Sequence, residues 1–116
     1  MERRFRFYHT RRGNHVVREE LNALPVEARA QLARAMKRVE RGEPFEHDDE
    51  YIDKDLRAVR AFCDGNTYRV LYSLQGRSDK ILLALHVHQK KDRKLSPLAK
   101  RTAKKRLRDW NARGGR

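Results

Sequence analysis

Four cations, Arg60, Arg69, Lys90 and Lys91, fall in or beside three successive stretches that read as strands, and such a grouping can do phosphate chemistry. Residues 67–74 carry the β-branched and aromatic side chains that favour strands, with Tyr68, Val70, Tyr72 and Leu74 on one face. Residues 80–88 are apolar on both faces, the pattern of a central strand. Asp64-Gly65 and Gly76 supply the positive φ that tight hairpin turns need. Neighbouring antiparallel strands would bring the four cations together. A cluster of fixed positive charge packs poorly as core but binds phosphate well, because the planar guanidinium fork meets two oxygens at once. The plain alternative for Arg69 is a strand cation facing solvent.

The chain around this meander has 116 residues, enough for a single domain over 1–116 with one modest core. Its 29 lysines and arginines outweigh 16 acids for a formal net charge of +13, which points to a polyanionic partner: nucleic acid or an acidic protein. A membrane surface fits poorly, since no basic segment carries a broad apolar face with aromatic anchors. There is no apolar run near 18 residues and no signal-peptide pattern, which predicts a cytoplasmic protein. The single cysteine, Cys63, excludes an internal disulfide and a thiolate zinc site, and reads as a half-buried strand residue. No cofactor or metal is expected, because His47, Asp48, Asp49 and Glu50 are merely consecutive.

The positioning elements follow from periodicity. Alternation of Phe5, Phe7 and His9 with Arg6 and Tyr8 predicts a first strand over residues 4–10, ended by Arg11-Arg12-Gly13. Asn14 can cap a helix bearing Val17, Leu21 and Leu24, and Pro25 can begin a second with Ala28, Leu32, Met36 and Val39 on one stripe up to Gly42. Residues 43–55 hold seven of the acids with little periodicity and read as a solvated acidic loop. Past the meander, residues 89–116 contain twelve lysines and arginines against two aspartates. Ser96-Pro97 starts a helix over 95–112 whose stripe Ala99, Ala103, Leu107 and Trp110 docks while a cationic face stays exposed.

The order strand, two helices, three-stranded meander and basic C-terminal helix resembles the RelE/HigB superfamily of bacterial toxins, especially its phage-related HigB-like branch. The residues that carry the likeness are Leu24-Pro25, Ala28 and Gly42, then Lys54-Asp55-Leu56 before Val59-Arg60. Gly65, Tyr68-Arg69-Val70, Tyr72, Leu85-His86, Lys90-Lys91, Ala103 and Arg106 continue it. Ala58 stands where this branch usually has a glutamate, and His88 where it usually has an aromatic residue.

The resemblance implies an α+β domain: an antiparallel sheet of about four strands in the order β-α-α-β-β-β, two N-terminal helices packed on it and a basic C-terminal helix. It also implies a toxin of a type II toxin–antitoxin system, a ribosome-dependent mRNA endonuclease that inhibits translation without a metal. The expected catalytic residues are Arg60, Arg69, His88 and Lys91, with Lys54, Arg57, His86, Lys90, Arg93 and Lys94 holding the RNA. The plain reading of either histidine is a hydrogen-bonded sheet residue. Expected partners are a HigA-like helix-turn-helix antitoxin, the ribosome and mRNA, and operator DNA only through the antitoxin complex. Two alternatives stay open: a non-catalytic nucleic-acid or ribosome binder, favoured by charge alone, and a ParE-like DNA gyrase inhibitor on a similar fold.

Overall fold

The computed structural model describes residues 3–90 and 94–116, and of Lys90 the backbone only. Its centre is the meander: β3 (Leu56–Cys63), β4 (Asn66–Gln75) and β5 (Ile81–Lys90). Asp64 and Gly65 form the two-residue turn between β3 and β4, with φ of 49° and 78°. A turn with positive φ at both central residues matches the right-handed strand twist, which explains the Asp-Gly pair. Leu82, Leu83, Ala84 and Leu85 are all fully buried, so β5 is apolar on both faces as its sequence indicates.

Five strands form the sheet in the order β1-β5-β4-β3-β2, with β1 at Arg4–Phe7 and β2 at Asp49–Asp53. The expectation of four antiparallel strands is corrected twice. First, β1 pairs with β5 in parallel, Arg4 beside Ile81 through Phe7 beside Ala84, so the sheet is mixed. Parallel neighbours need a long crossover, and here everything between the two strands supplies it. The strand also stops at Phe7 rather than reaching residue 10, although the Tyr8 amide still donates to the Ala84 carbonyl at 2.9 Å. Second, the acidic stretch is not all loop: residues 49–53 pair antiparallel with β3.

The helices are α1 (Val16–Asn22), α2 (Val26–Glu40) and α3 (Pro97–Ala112). Asn14 is not the cap of α1: that position is His15, without a side-chain bond. Asn14 instead closes the preceding turn, its amide donating to Thr10 Oγ1 at 3.0 Å. Pro25 is the N-cap of α2 rather than its first helical residue, and its carbonyl accepts the Arg29 amide at 2.9 Å. At the other end the Gly42 amide reaches Val39 O and the Glu43 amide reaches Arg38 O, a Schellman closure that needs the 72° φ of Gly42. Ser96 Oγ caps α3 by accepting the Leu98 and Ala99 amides, with Pro97 in the first turn. Both predicted stripes are buried, Ala28, Leu32, Met36 and Val39 on α2 and Ala99, Ala103, Leu107 and Trp110 on α3. The helix α2 rests on β3, while α1 and α3 reach β5.

Candidate functional site

Register alone builds the centre of the site. Arg60 on β3 lies opposite Arg69 on β4, and Arg69 lies opposite His88 on β5, so the three stand in a row across the sheet. Side chains directly opposite in antiparallel strands share a face. A β-bulge between Leu71 and Tyr72 in the β4–β5 pairing leaves Leu85 as the extra residue and keeps His86 and His88 on the Arg69 face.

What holds this row is Glu50 from β2, a residue that reads in sequence as part of a loop. Arg69 Nε donates to Glu50 Oε1 at 3.0 Å, and Arg60 Nη1 lies 3.5 Å from Oε2. One carboxylate thus bridges two guanidinium groups. Arg69 is fully buried, which removes the reading of a solvent-facing strand cation, whereas the Arg60 side chain is 23% exposed. Arg60 is further fixed by its Nε donating to the His47 carbonyl at 3.1 Å and its amide donating to Asp48 O at 2.8 Å. Asp48 is itself anchored: Arg38 of α2 grips its carboxylate with both Nε (2.6 Å) and Nη2 (2.9 Å), and the Phe45 amide adds a third bond. Burial pushes the Asp48 carboxyl up, but Arg38 and that amide more than reverse it, and the net shift is downward.

A second carboxylate, Glu20 of α1, organises the other end of the row. Its Oε1 lies 3.1 Å from His86 Nδ1 and accepts the Val87 amide at 3.0 Å. Arg106 of α3 binds both of its oxygens and also donates to the Leu85 carbonyl at 2.9 Å, the carbonyl of the bulged residue. Burial would raise the Glu20 pKa, yet His86, Arg106 and the Val87 amide together hold it down to about 2. His86 is therefore a tie between β5 and the helices. His88, with its ring centroid 6.2 Å from that of His86, is the histidine beside Arg69.

The remaining expected RNA contacts disperse. Arg57 lies three residues from Arg60 on β3 and so points to the other face, where it pairs with both oxygens of Asp49 and Tyr72 donates to Asp49 Oδ1 at 2.7 Å. Lys54 sits in the β2–β3 turn and lines a groove of about 340 Å³ with Arg57, Asp55 and Gln75. Lys94 is exposed ahead of the α3 cap. Lys90 closes β5 opposite Thr67, and Lys91 and Arg93 lie outside the described residues. Among the described residues no three His, Cys, Asp or Glu side chains converge as a metal site, and no helix is long and apolar enough to cross a membrane.

Glu50, Glu20 and Arg106 escaped selection as site residues. The Tyr51-Ile52 pair inside the acid run was a faint strand signal for Glu50. Glu20 and Arg106 meet His86 from 66 and 20 residues away, and nothing local marks them.

The sheet order, the long parallel crossover and the C-terminal helix make up a fold of the RelE type. The free-state structure of a double-arginine mutant of the E. coli toxin RelE superposes with a TM-score of 0.65, covering 92% of this chain and 99% of that one at 17% identity. Residues 19–108 match the family described as phage derived protein Gp49-like (DUF891), and the chain belongs to that family. No curated protein sequence shows significant similarity.

Proposed function

We propose that this chain is the toxin of a type II toxin–antitoxin system and cuts mRNA on the ribosome without a metal. The observation that carries the proposal is the Arg60, Arg69, His88 row on a RelE-type sheet. In such a cut the RNA's own 2′-oxygen attacks the adjacent phosphorus, the bond to the 5′-oxygen breaks, and a 2′,3′-cyclic phosphate and a 5′-hydroxyl result. The protein must help remove the 2′ proton, stabilise the added charge on phosphorus and protonate the leaving oxygen. Arg69 and Arg60 suit the charge, since an incoming phosphate replaces Glu50 as the acceptor of their forks. His88 suits proton transfer beside them, with Lys91 as its partner in the reaction. Lys54, Lys90, Arg93 and Lys94 serve the RNA backbone, while Arg57 and His86 are committed to Asp49 and Glu20 and act structurally.

In this reading the chain works in the cytoplasm, on the ribosome, and a HigA-like helix-turn-helix antitoxin silences it and carries it to operator DNA. Expression of the chain without that partner tests the proposal. Pulse labelling should show protein synthesis falling before DNA synthesis, and the reverse order would put a ParE-like action on gyrase first. One observation favours a non-catalytic RNA binder instead: both arginines are already paired with Glu50, whereas Arg12, Arg101, Lys105 and Arg108 make no ion pair among the described residues.

A further inference from the structure

We infer that Phe62 and His47 form a base-stacking step beside Arg60, which takes one unstacked nucleobase of a single RNA strand. The inference rests on the RNA-cleaving reading and adds to it a site for the base next to the reacting phosphate.

Phe62 is on β3, two residues beyond Arg60 and on the same face, about 7 Å further along the strand. Burial falls steadily along that face: Ala58 is fully buried, Arg60 half-buried and Phe62 37% exposed. Single exposed apolar residues are ordinary on any surface. What sets this one apart is its company. The exposed His47 ring packs against it with centroids 5.4 Å apart and planes at 47°, and the Arg60 guanidinium lies 5.9 Å from the Phe62 centroid.

The histidine is held in place by the main chain. Its carbonyl accepts Arg60 Nε, and the next residue, Asp48, is fixed by the two-pronged bond from Arg38. Phe45, the other exposed ring of this loop, is engaged over Arg38 at 4.0 Å. A cation with an aromatic ring one nucleotide's reach away is the arrangement by which single strands are bound: the cation takes the phosphate and the ring takes the flat base, whatever its identity. Tilted planes leave the two rings as a corner, against which a base can lie on one ring and meet the edge of the other.

The test uses the full chain and a short 2′-O-methyl oligoribonucleotide, which lacks the attacking hydroxyl and so reports binding alone. At low salt Phe62→Leu should weaken binding by about five-fold to a hundred-fold, and Phe62→Trp should stay within about three-fold of the parent. Removing the base at one nucleotide of the oligomer should cost the parent a comparable factor and cost Phe62→Leu almost nothing. That coupling would not arise if Phe62 merely supported the strand. Equal binding by Phe62→Leu and the parent, or a base-removal penalty that persists in Phe62→Leu, overturns the inference and leaves the cleavage reading standing. A parent chain that neither binds the oligomer nor cuts mRNA overturns both.

Discussion

Arg69 has no exposed surface, so its chemistry depends on what replaces Glu50 as its acceptor. Lysine at this position would keep the charge and could still reach Glu50, but would lose the planar fork that meets two phosphate oxygens. Arg69→Lys is therefore expected to slow cleavage on pre-bound ribosomes by about ten-fold to a thousand-fold, while binding changes far less. Single-turnover rates on programmed ribosomes check it, and a parent-like rate would remove Arg69 from the reacting centre. Glu20 gives a pH signature. Its folded pKa of about 2 lies below the ordinary value of 4.5, so its contribution is fully present above about pH 5 and is lost as the pH falls toward 2. The shift corresponds to a contribution on the order of 3 kcal/mol. The stability gap between the parent and Glu20→Gln, from denaturant unfolding, should be largest near neutrality and close between about pH 5 and 2. A gap independent of pH would show that the carboxylate's charge is not what ties α1, β5 and α3 together.

Among the elements, β2 decides whether the site exists, because the strand and the residue just before it deliver Asp48 to Arg38, Asp49 to Arg57, and Glu50 to both Arg60 and Arg69. Its anchor to α2 is the Arg38–Asp48 pair, with Asp48 1% exposed. Asp48→Ala leaves Arg38 without its acceptor and should cost about 3 kcal/mol, toward the lower end for a broken buried pair because Arg38 keeps some contact with water. Urea unfolding measures it, and a loss below about 1 kcal/mol would mean that β2 is held by its ladder with β3 alone. The same strand shows what sequence could reveal. The β3–β4–β5 meander and the stripes of α2 and α3 are visible because their apolar periods are local. With Asp-Gly as a two-residue turn, the alignment of Arg60 with Arg69 follows directly. In β2 the alternation is among polar residues whose partners are distant arginines, so the stretch reads as a charged loop. The parallel pairing of β1 with β5 and the meeting of Glu20, His86 and Arg106 are likewise products of tertiary packing.

At the scale of the whole molecule the positive charge divides into two populations. Arg38, Arg57, Arg60, Arg69 and Arg106 are tied to carboxylates and shape the sheet and its site. Arg12 and Lys105 instead line a groove of about 600 Å³ between the turn after β1 and α3, and Arg101 and Lys105 are exposed one helical turn apart on α3. Cations of the second kind give attraction to any polyanion, so binding of RNA by itself says little about catalysis. New RNA ends say more. If the arginine and histidine row cleaves translated mRNA, primer extension on mRNA from cells expressing the chain will reveal the cuts. New 5′ ends should appear inside translated reading frames, be absent from the same message without its start codon, and be greatly reduced with Arg69→Lys. Growth arrest with no new ends, or ends that are equally abundant with Arg69→Lys, would contradict it.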